Sequence, residues 1–166
     1  MFSKMVILFC CLLTIPFLLV VIALVQNDLP WTASPGALVR LGQYLGNNDI
    51  STSPESLYPE LHPREYKQTD ETIFDSVKQA LHQPGWEIVE ENVEARLIHA
   101  VITTSLFKFK DDIYITINKA GNNNVVNIRS KSRVGKGDLG TNTRHIMNFY
   151  AALDKIISDK NNKQNQ

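Results

Sequence analysis

One segment of the chain, residues 129–142, combines cationic side chains with a glycine-rich loop. It reads Arg-Ser-Lys-Ser-Arg-Val-Gly-Lys-Gly-Asp-Leu-Gly-Thr-Asn. If its first part is a strand, Arg129, Lys131 and Arg133 project from one face, because side chains alternate along a strand. The glycines allow close approach of the backbone, and the unpaired N–H groups of a following helix favour an anion. The pattern predicts a site for a phosphate, a carboxylate or a lipid head group.

A structural interpretation of the same segment stays open. Alternating cations on a strand commonly form a solvated face, and glycines before a helix commonly turn the chain. Asp138 is able to pair with Arg133 or Arg144. The spacing matches neither the Walker pattern nor the dinucleotide-binding G-x-G-x-x-G pattern. The candidate anion-binding or ligand-binding residues are Arg129, Lys131, Arg133, Gly135, Gly137, Asp138, Gly140, Asn142 and Arg144.

Other groups give weaker evidence of chemistry. An enzyme would most readily use Asp138, His145 or Asp112, but the sequence has no G-x-S-x-G motif and no evident acid partner for His145. Asp111 and Asp112 point to opposite faces of a strand, which disfavours a shared cation site. His99 lies in a strand without an evident partner. We therefore expect a protein that is not an enzyme, with an enzyme of unknown reaction as the alternative.

The composition excludes some classes of function. Seventeen basic residues balance seventeen acidic ones, which argues against nucleic-acid binding by bulk charge. Both cysteines, Cys10 and Cys11, lie in an N-terminal apolar segment, so the rest of the chain forms no disulfide and no thiolate metal site. The four histidines show no paired spacing. We expect neither a metal site nor a cofactor.

The apolar segment runs without a charge from Met5 to Val25. A helix of this length covers the hydrocarbon core of a bilayer, which is roughly 30 Å thick. Its length and the poor cleavage site after it favour a permanent anchor over a removed signal peptide, which is the alternative. Lys4 precedes the segment and Asp28 follows it, which predicts a cytoplasmic N-terminus and a domain on the periplasmic or extracytoplasmic side. The sequence thus predicts a single-pass membrane protein.

The chain divides by composition into four parts. Residues 1–27 are the predicted transmembrane anchor, and the proline-rich residues 28–66 are an extended linker or a segment that wraps the domain. One short turn of helix is possible around Leu38–Tyr44. The folded domain is expected over residues 67–158, and residues 159–166 are a polar tail.

The periodicity of the domain predicts its elements. A helix begins at Thr69 or Asp70 and ends before Gly85, and a last helix begins near Thr141 or Asn142. The short turns between the strands favour antiparallel neighbours. The expected fold is α+β, with an N-terminal transmembrane helix followed by a four-stranded antiparallel sheet and two helices in the order α-β-β-β-β-α. The predicted strands are Trp86–Glu90, Ala95–Leu106, Ile113–Asn118 and Val125–Ser132.

The motifs of the domain resemble the domain of unknown function 1499 family. The matching pieces are Pro84–Val89, Phe107–Ile113 and Ile128–Asn142 with Arg144 after it. The last of these is similar to that family's R-S-x-S-R-x-G-x-x-D-x-G-x-N signature, and the likeness extends over residues 42–157. The resemblance implies a bacterial or plastid domain often found at membranes, of no established activity. The cysteine pair common in the family is missing from residues 49–56, so no disulfide, redox or metal role of that pair carries over.

These observations together favour a membrane-tethered binding or accessory module that is not an enzyme. Its expected partners are the membrane itself, through the single helix, and an anionic lipid head group or a phosphorylated ligand at the cationic segment. The alternatives are an enzyme that uses Asp138 and His145, and a structural subunit of a membrane complex. No protein partner and no nucleic acid is indicated.

Overall fold

The computed structural model of the protein describes residues 2–104 and 108–164, and the side chains of residues 2–11, 13, 16 and 164 lie outside the described part. The described chain forms four α-helices and six strands, with one 3₁₀ turn at Pro59–Leu61. The helices are α1 (Phe2–Gln26), α2 (Ala37–Gly46), α3 (Asp70–Leu81) and α4 (Thr141–Gln164). The strands are β1 (Asp49–Ser51), β2 (Arg64–Tyr66), β3 (Trp86–Asn92), β4 (Leu97–Thr103), β5 (Lys110–Ala120) and β6 (Asn123–Ser132).

All six strands belong to one antiparallel sheet, in the order β1-β6-β5-β4-β3, and β2 also pairs with β6. Asp49 of β1 lies opposite Lys131, and Arg64 of β2 lies opposite Val126. The two short strands therefore pair with different parts of the same edge of β6. The expectation of a four-stranded sheet is therefore wrong. It fails because β1 and β2 have three residues each, too few to show the alternation that identifies a strand in a sequence.

The core lies on the face of the sheet that α3 and α4 cover. Ile113, Ile115 and Ile117 of β5 are buried there, and they alternate with Asp112 and Tyr114 on the opposite face. The helices contribute apolar stripes at helical spacing, and Thr69 caps α3 by accepting from the Thr72 backbone N–H at 3.3 Å. The opposite face, here called the outer face, presents His99, Asp112, Tyr114, Arg129 and Lys131.

The prediction of a transmembrane anchor is contradicted. Among the residues that the structure describes, no helix is long and apolar enough to cross a membrane. The side chains of Cys10 and Cys11 lie outside the described part. The predictions of a single-pass topology and of a periplasmic domain are contradicted as well, because both depended on that anchor.

The segment between α1 and β1 packs against the loop that precedes α4. The Asn27 side chain donates to the Leu139 carbonyl at 2.9 Å, and the Leu139 N–H donates to the Tyr44 carbonyl at 2.9 Å. The Arg40 guanidinium is fully buried and meets the Glu60 carboxylate at 2.5 and 3.1 Å. Because a buried charge needs a partner of this kind, the pair fixes α2 against the segment before β2.

Candidate functional site

Two of the predicted cations share one carboxylate on the outer face. Arg129 donates from Nε and Nη2 to the two oxygens of Asp49 at 2.7 and 2.5 Å, and the Lys131 ammonium lies 3.3 Å from the same carboxylate. Both cationic side chains remain 48% exposed. Hydrogen bonding from Arg129 is the main cause that lowers the pKa of Asp49. The carboxylate therefore stays ionised and orients both cations.

The third predicted cation, Arg133, forms the same kind of fork with Asp112. Its Nε and Nη2 donate to the two carboxylate oxygens at 2.8 and 2.7 Å, and its side chain is 45% exposed. The His99 Nε2 lies 2.8 Å from the same carboxylate. Hydrogen bonding from Arg133 is the main cause that lowers the pKa of Asp112 to about 2. Burial opposes this shift, and hydrogen bonding from His99 adds to it.

An aromatic pair lies beside these ion pairs. The rings of His99 and Tyr114 are stacked, with centroids 4.4 Å apart and planes 11° from parallel. Tyr114 lies opposite Arg129 in the β5–β6 register. Arg129, Lys131 and Arg133, here called the cation row, thus share one surface with a planar aromatic group.

The glycine-rich loop is held by the protein's own groups. Both oxygens of the Asp138 carboxylate accept backbone hydrogen bonds, from Gly140 and Asn142, each at 2.8 Å. The N-terminus of α4 is thereby capped by an internal carboxylate. A Cβ on Gly137 would lie 2.1 Å from the Leu45 carbonyl oxygen. The backbone thus approaches α2 closely here, as only glycine permits.

Two further candidates lie apart from the cation row. Asn142 is buried and joins three parts of the chain: its side-chain nitrogen donates to the Asn48 carbonyl at 3.0 Å and to Ser132 Oγ at 2.9 Å. Its oxygen accepts from Ser130 Oγ at 2.5 Å. Arg144 belongs to α4 and contacts Asp28 at 3.4 Å. Asp138 pairs with neither Arg133 nor Arg144, because each arginine has its own carboxylate partner.

The groups that an enzyme would use are arranged differently from a nucleophile relay. Ser130 Oγ and Asp111 Oδ2 lie 3.4 and 3.7 Å from the same ring nitrogen of His145, Nδ1. A serine relay needs the hydroxyl and the carboxylate on opposite ring nitrogens. Burial lowers the pKa of His145 to about 4 and raises the pKa of Asp111, so the neutral form of each group is favoured. The 3.7 Å between His145 Nδ1 and Asp111 Oδ2 is too long for a hydrogen bond. Burial is therefore the main influence on the pKa of both groups.

Sequence reasoning did not assign Asp49, Asp112, His99 and Tyr114 to the outer-face cluster. The alternation of β5 gives a signal for two of them, because it places Asp112 and Tyr114 on one face. Asp49 has no such signal, since it lies 80 residues from Arg129 and its strand is short. The pairing is visible only in the folded sheet.

Comparisons with known proteins agree with the resemblance noted in the sequence. A family model described as "Protein of unknown function (DUF1499)" matches residues 43–153. No curated protein matches the chain. One solved structure that matches is the crystal structure of TTHA0849 from Thermus thermophilus, with a TM-score of 0.36 and 8% identity, covering 68% of this chain and 98% of that chain. Because the family model matches more than half of the chain, the protein belongs to the DUF1499 family of proteins of unknown function.

Proposed function

We propose that the protein is a binding module, not an enzyme, that takes a phosphate-like anionic group on the cation row. The observation that supports this most is the exposure of the row: Arg129, Lys131 and Arg133 are 45–48% exposed side by side and are held by two carboxylates. Three cations against two carboxylates leave a local surplus of positive charge, to which an anion is attracted.

The row is preorganised for such a ligand. Arg129 and Arg133 each use Nε and Nη2 to hold a carboxylate. Among the described residues, the Nη1 groups of both arginines have no hydrogen-bond partner, so their N–H donors remain for a ligand. Because the forks fix both guanidinium planes, little side-chain entropy is lost when an anion binds.

The expected affinity is modest, since the row is open to solvent. Two charge-assisted hydrogen bonds of roughly 2 kcal/mol each give a dissociation constant on the order of 1 mM. Salt screens such exposed charges over about 10 Å at 0.1 M ionic strength, so binding should weaken as salt is added. This affinity suits a reversible accessory role.

The alternative of an enzyme that uses Asp138 and His145 has less support. Asp138 uses both carboxylate oxygens as a helix cap, and His145 is 9% exposed beside Trp86, with ring centroids 5.9 Å apart. Neither group borders the cation row. An anion bound on the outer face would be separated from His145 by the sheet, because His145 contacts Ser130 on the opposite face.

The test is a low-salt titration of the full chain with inorganic phosphate, and in a second arm with phosphatidylglycerol vesicles against phosphatidylcholine vesicles. The two arms distinguish free phosphate from a lipid head group as the source of the same chemistry. Arg129→Gln and Arg133→Gln should each weaken binding about thirtyfold, since each removes one charge-assisted hydrogen bond of roughly 2 kcal/mol. Arg144→Gln is the matched control, since it removes the same charge outside the row. No binding in either arm, or equal losses in all three variants, would overturn the proposal.

A further inference from the structure

A groove lies next to the cation row, at the edge of the sheet formed by β1. It has a volume of about 420 Å³, and its floor includes Ile50 and Leu61. The groove is shallow and open to solvent, so it has room for one side of a group of monosaccharide size. We call it the edge groove. The polar residues that line it are Gln43, Asn47, Asp49, Ser51, Ser56 and Tyr58.

The lining of the edge groove is made of amides and hydroxyls with spare hydrogen-bonding capacity. Asn47 uses its oxygen to accept from the Asp49 N–H at 3.1 Å, which leaves its NH₂ group for a ligand. Ser56 Oγ accepts from the Tyr58 N–H at 3.2 Å, which leaves its own O–H as a donor. Groups of this kind both donate and accept, as the hydroxyls of a ligand do.

Gln43 adds a side-chain amide to the lining of the edge groove. Its amide oxygen is buried, and it accepts no hydrogen bond from the described residues. A buried acceptor without a donor is unfavourable for the folded protein, and structures usually satisfy such atoms. Since rotation of the amide exchanges its oxygen and its nitrogen, the exposed end of the Gln43 amide is able either to donate to a ligand hydroxyl or to accept from one.

The edge groove and the cation row are joined by Asp49. This residue lines the groove, and its carboxylate holds Arg129 and Lys131. Tyr58, on the other side of the groove, is fixed by the Arg40 guanidinium, which lies 5.2 Å from its ring centroid. A ligand whose anionic group binds Arg129 and Lys131 is therefore able to extend past Asp49 into the groove.

We propose that the ligand is a phosphorylated sugar or polyol, with its phosphate on the cation row and its hydroxyls in the edge groove. The inference rests on the proposed function and specifies its ligand class. Neutral amides and hydroxyls next to a cationic patch fit a molecule that is anionic at one end and hydroxyl-rich at the other. The carboxylate of Asp49 is a further acceptor for a ligand hydroxyl.

The experiment compares four probes with the full chain: inorganic phosphate, propyl phosphate, glucose 6-phosphate and myo-inositol 1-phosphate. At least one of the two hydroxyl-rich phosphates should bind about tenfold more tightly than inorganic phosphate, as one or two added hydrogen bonds would give. Propyl phosphate should gain little, because it has a chain and no hydroxyl. Equal binding of all four probes would overturn the ligand class while leaving the phosphate proposal intact. Binding of none would overturn both.

Two conservative variants test whether the edge groove causes the tighter binding of hydroxyl-rich phosphates. Gln43→Met removes an amide without a hydrogen bond, and Tyr58→Phe removes a hydroxyl while keeping the ring beside Arg40. Each variant should reduce the advantage of the hydroxyl-rich phosphate at least threefold, the scale of one neutral hydrogen bond, and leave inorganic phosphate binding unchanged. Gln43→Met should also leave thermal unfolding unchanged or raise its midpoint, which separates a loss of binding from a loss of fold. An unchanged advantage in both variants would contradict the assignment of the groove.

Discussion

Asp111 and Asp112 are consecutive residues of β5 whose carboxyl groups face opposite sides of the sheet and differ in pKa. Asp111 is 2% exposed on the face that α4 covers, and burial raises its pKa. Asp112 lies on the outer face, where hydrogen bonds from Arg133 lower its pKa to about 2. The strand thus separates a buried structural cluster from an exposed ionic surface within two residues.

This difference predicts opposite effects of pH on stability. The folded pKa of Asp112 is below its unfolded value of 3.8, so its contribution is present above 3.8 and is lost as the pH falls to about 2. The loss should be about 2 kcal/mol, because one pKa unit corresponds to roughly 1.4 kcal/mol. Denaturant unfolding of Asp112→Asn at several pH values should show this dependence removed.

The neighbouring variant is the control with the opposite sign. The folded pKa of Asp111 is raised, so its contribution is fully present below 3.8 and is lost as the pH rises through the folded pKa. Asp111→Asn should therefore gain stability relative to the natural protein as the pH rises above 3.8. The same pH profile of stability for both variants would contradict the opposite pKa shifts of the Asp111 and Asp112 carboxyl groups.

His145 predicts a second acid-sensitive step. Its folded pKa is about 4 against 6.5 when unfolded, so the stability that neutral His145 provides is lost as the pH falls from 6.5 to about 4. The loss should approach about 3 kcal/mol, since each pKa unit is worth roughly 1.4 kcal/mol. His145→Gln should remove this dependence in denaturant unfolding, whereas His62→Gln, at an exposed position, should keep it. A profile that His145→Gln leaves unchanged would show that the ring is not buried as described.

The buried side chain of Asn142 should be important for stability. It exchanges hydrogen bonds with Ser130, Ser132 and the Asn48 carbonyl. Asn142→Ala removes these three hydrogen bonds from a buried site and should lower the free energy of unfolding by about 3 kcal/mol. Asn122→Ala, in the exposed turn before β6, should change it by less than about 0.5 kcal/mol in the same denaturant titration. Equal effects of the two variants would contradict this role.

Two glycine-to-alanine changes give a matched pair. In Gly137→Ala the new Cβ would lie 2.1 Å from the Leu45 carbonyl oxygen, so α2 and the loop must separate. The expected destabilisation is about 3 kcal/mol. Gly42→Ala, within α2 and with no atom within 4 Å of its Cβ, should instead stabilise the protein by about 1 kcal/mol, owing to helix propensity. Thermal unfolding midpoints should therefore move in opposite directions, and a fall in both would contradict the packing.

The sequence predicts the central elements because their patterns are long and regular. The helix expected from Thr69 is observed as α3, and the alternation of β5 and β6 indicates which side chains share the outer face. The three-residue strands β1 and β2 give no such pattern, and both form only by pairing with β6. The sequence of the glycine loop is ambiguous, because its turn chemistry is the same whether an external anion or Asp138 occupies the helix N-terminus.

The ion pairs of the site depend on contacts between distant parts of the chain. Asp49 and Arg129 are 80 residues apart, and Asp112 and Arg133 are 21 apart. Periodicity shows that a cation is exposed, but it does not show which carboxylate pairs with it. The family match indicates the extent of the domain but no mechanism, so only the geometry of the folded sheet identifies the residues of the site.

The most direct measurement of the central claim is an NMR titration that follows the arginine Nε–Hε signals of the full chain as phosphate is added at low salt. We expect saturable shifts of the Arg129 and Arg133 signals, with Arg64 and Arg144 unchanged because these two lie outside the cation row. The shifts should diminish as salt is raised, since exposed charges are screened. Uniform small shifts of all the arginine signals, or none, would contradict the proposal that the outer face is an anion-binding surface.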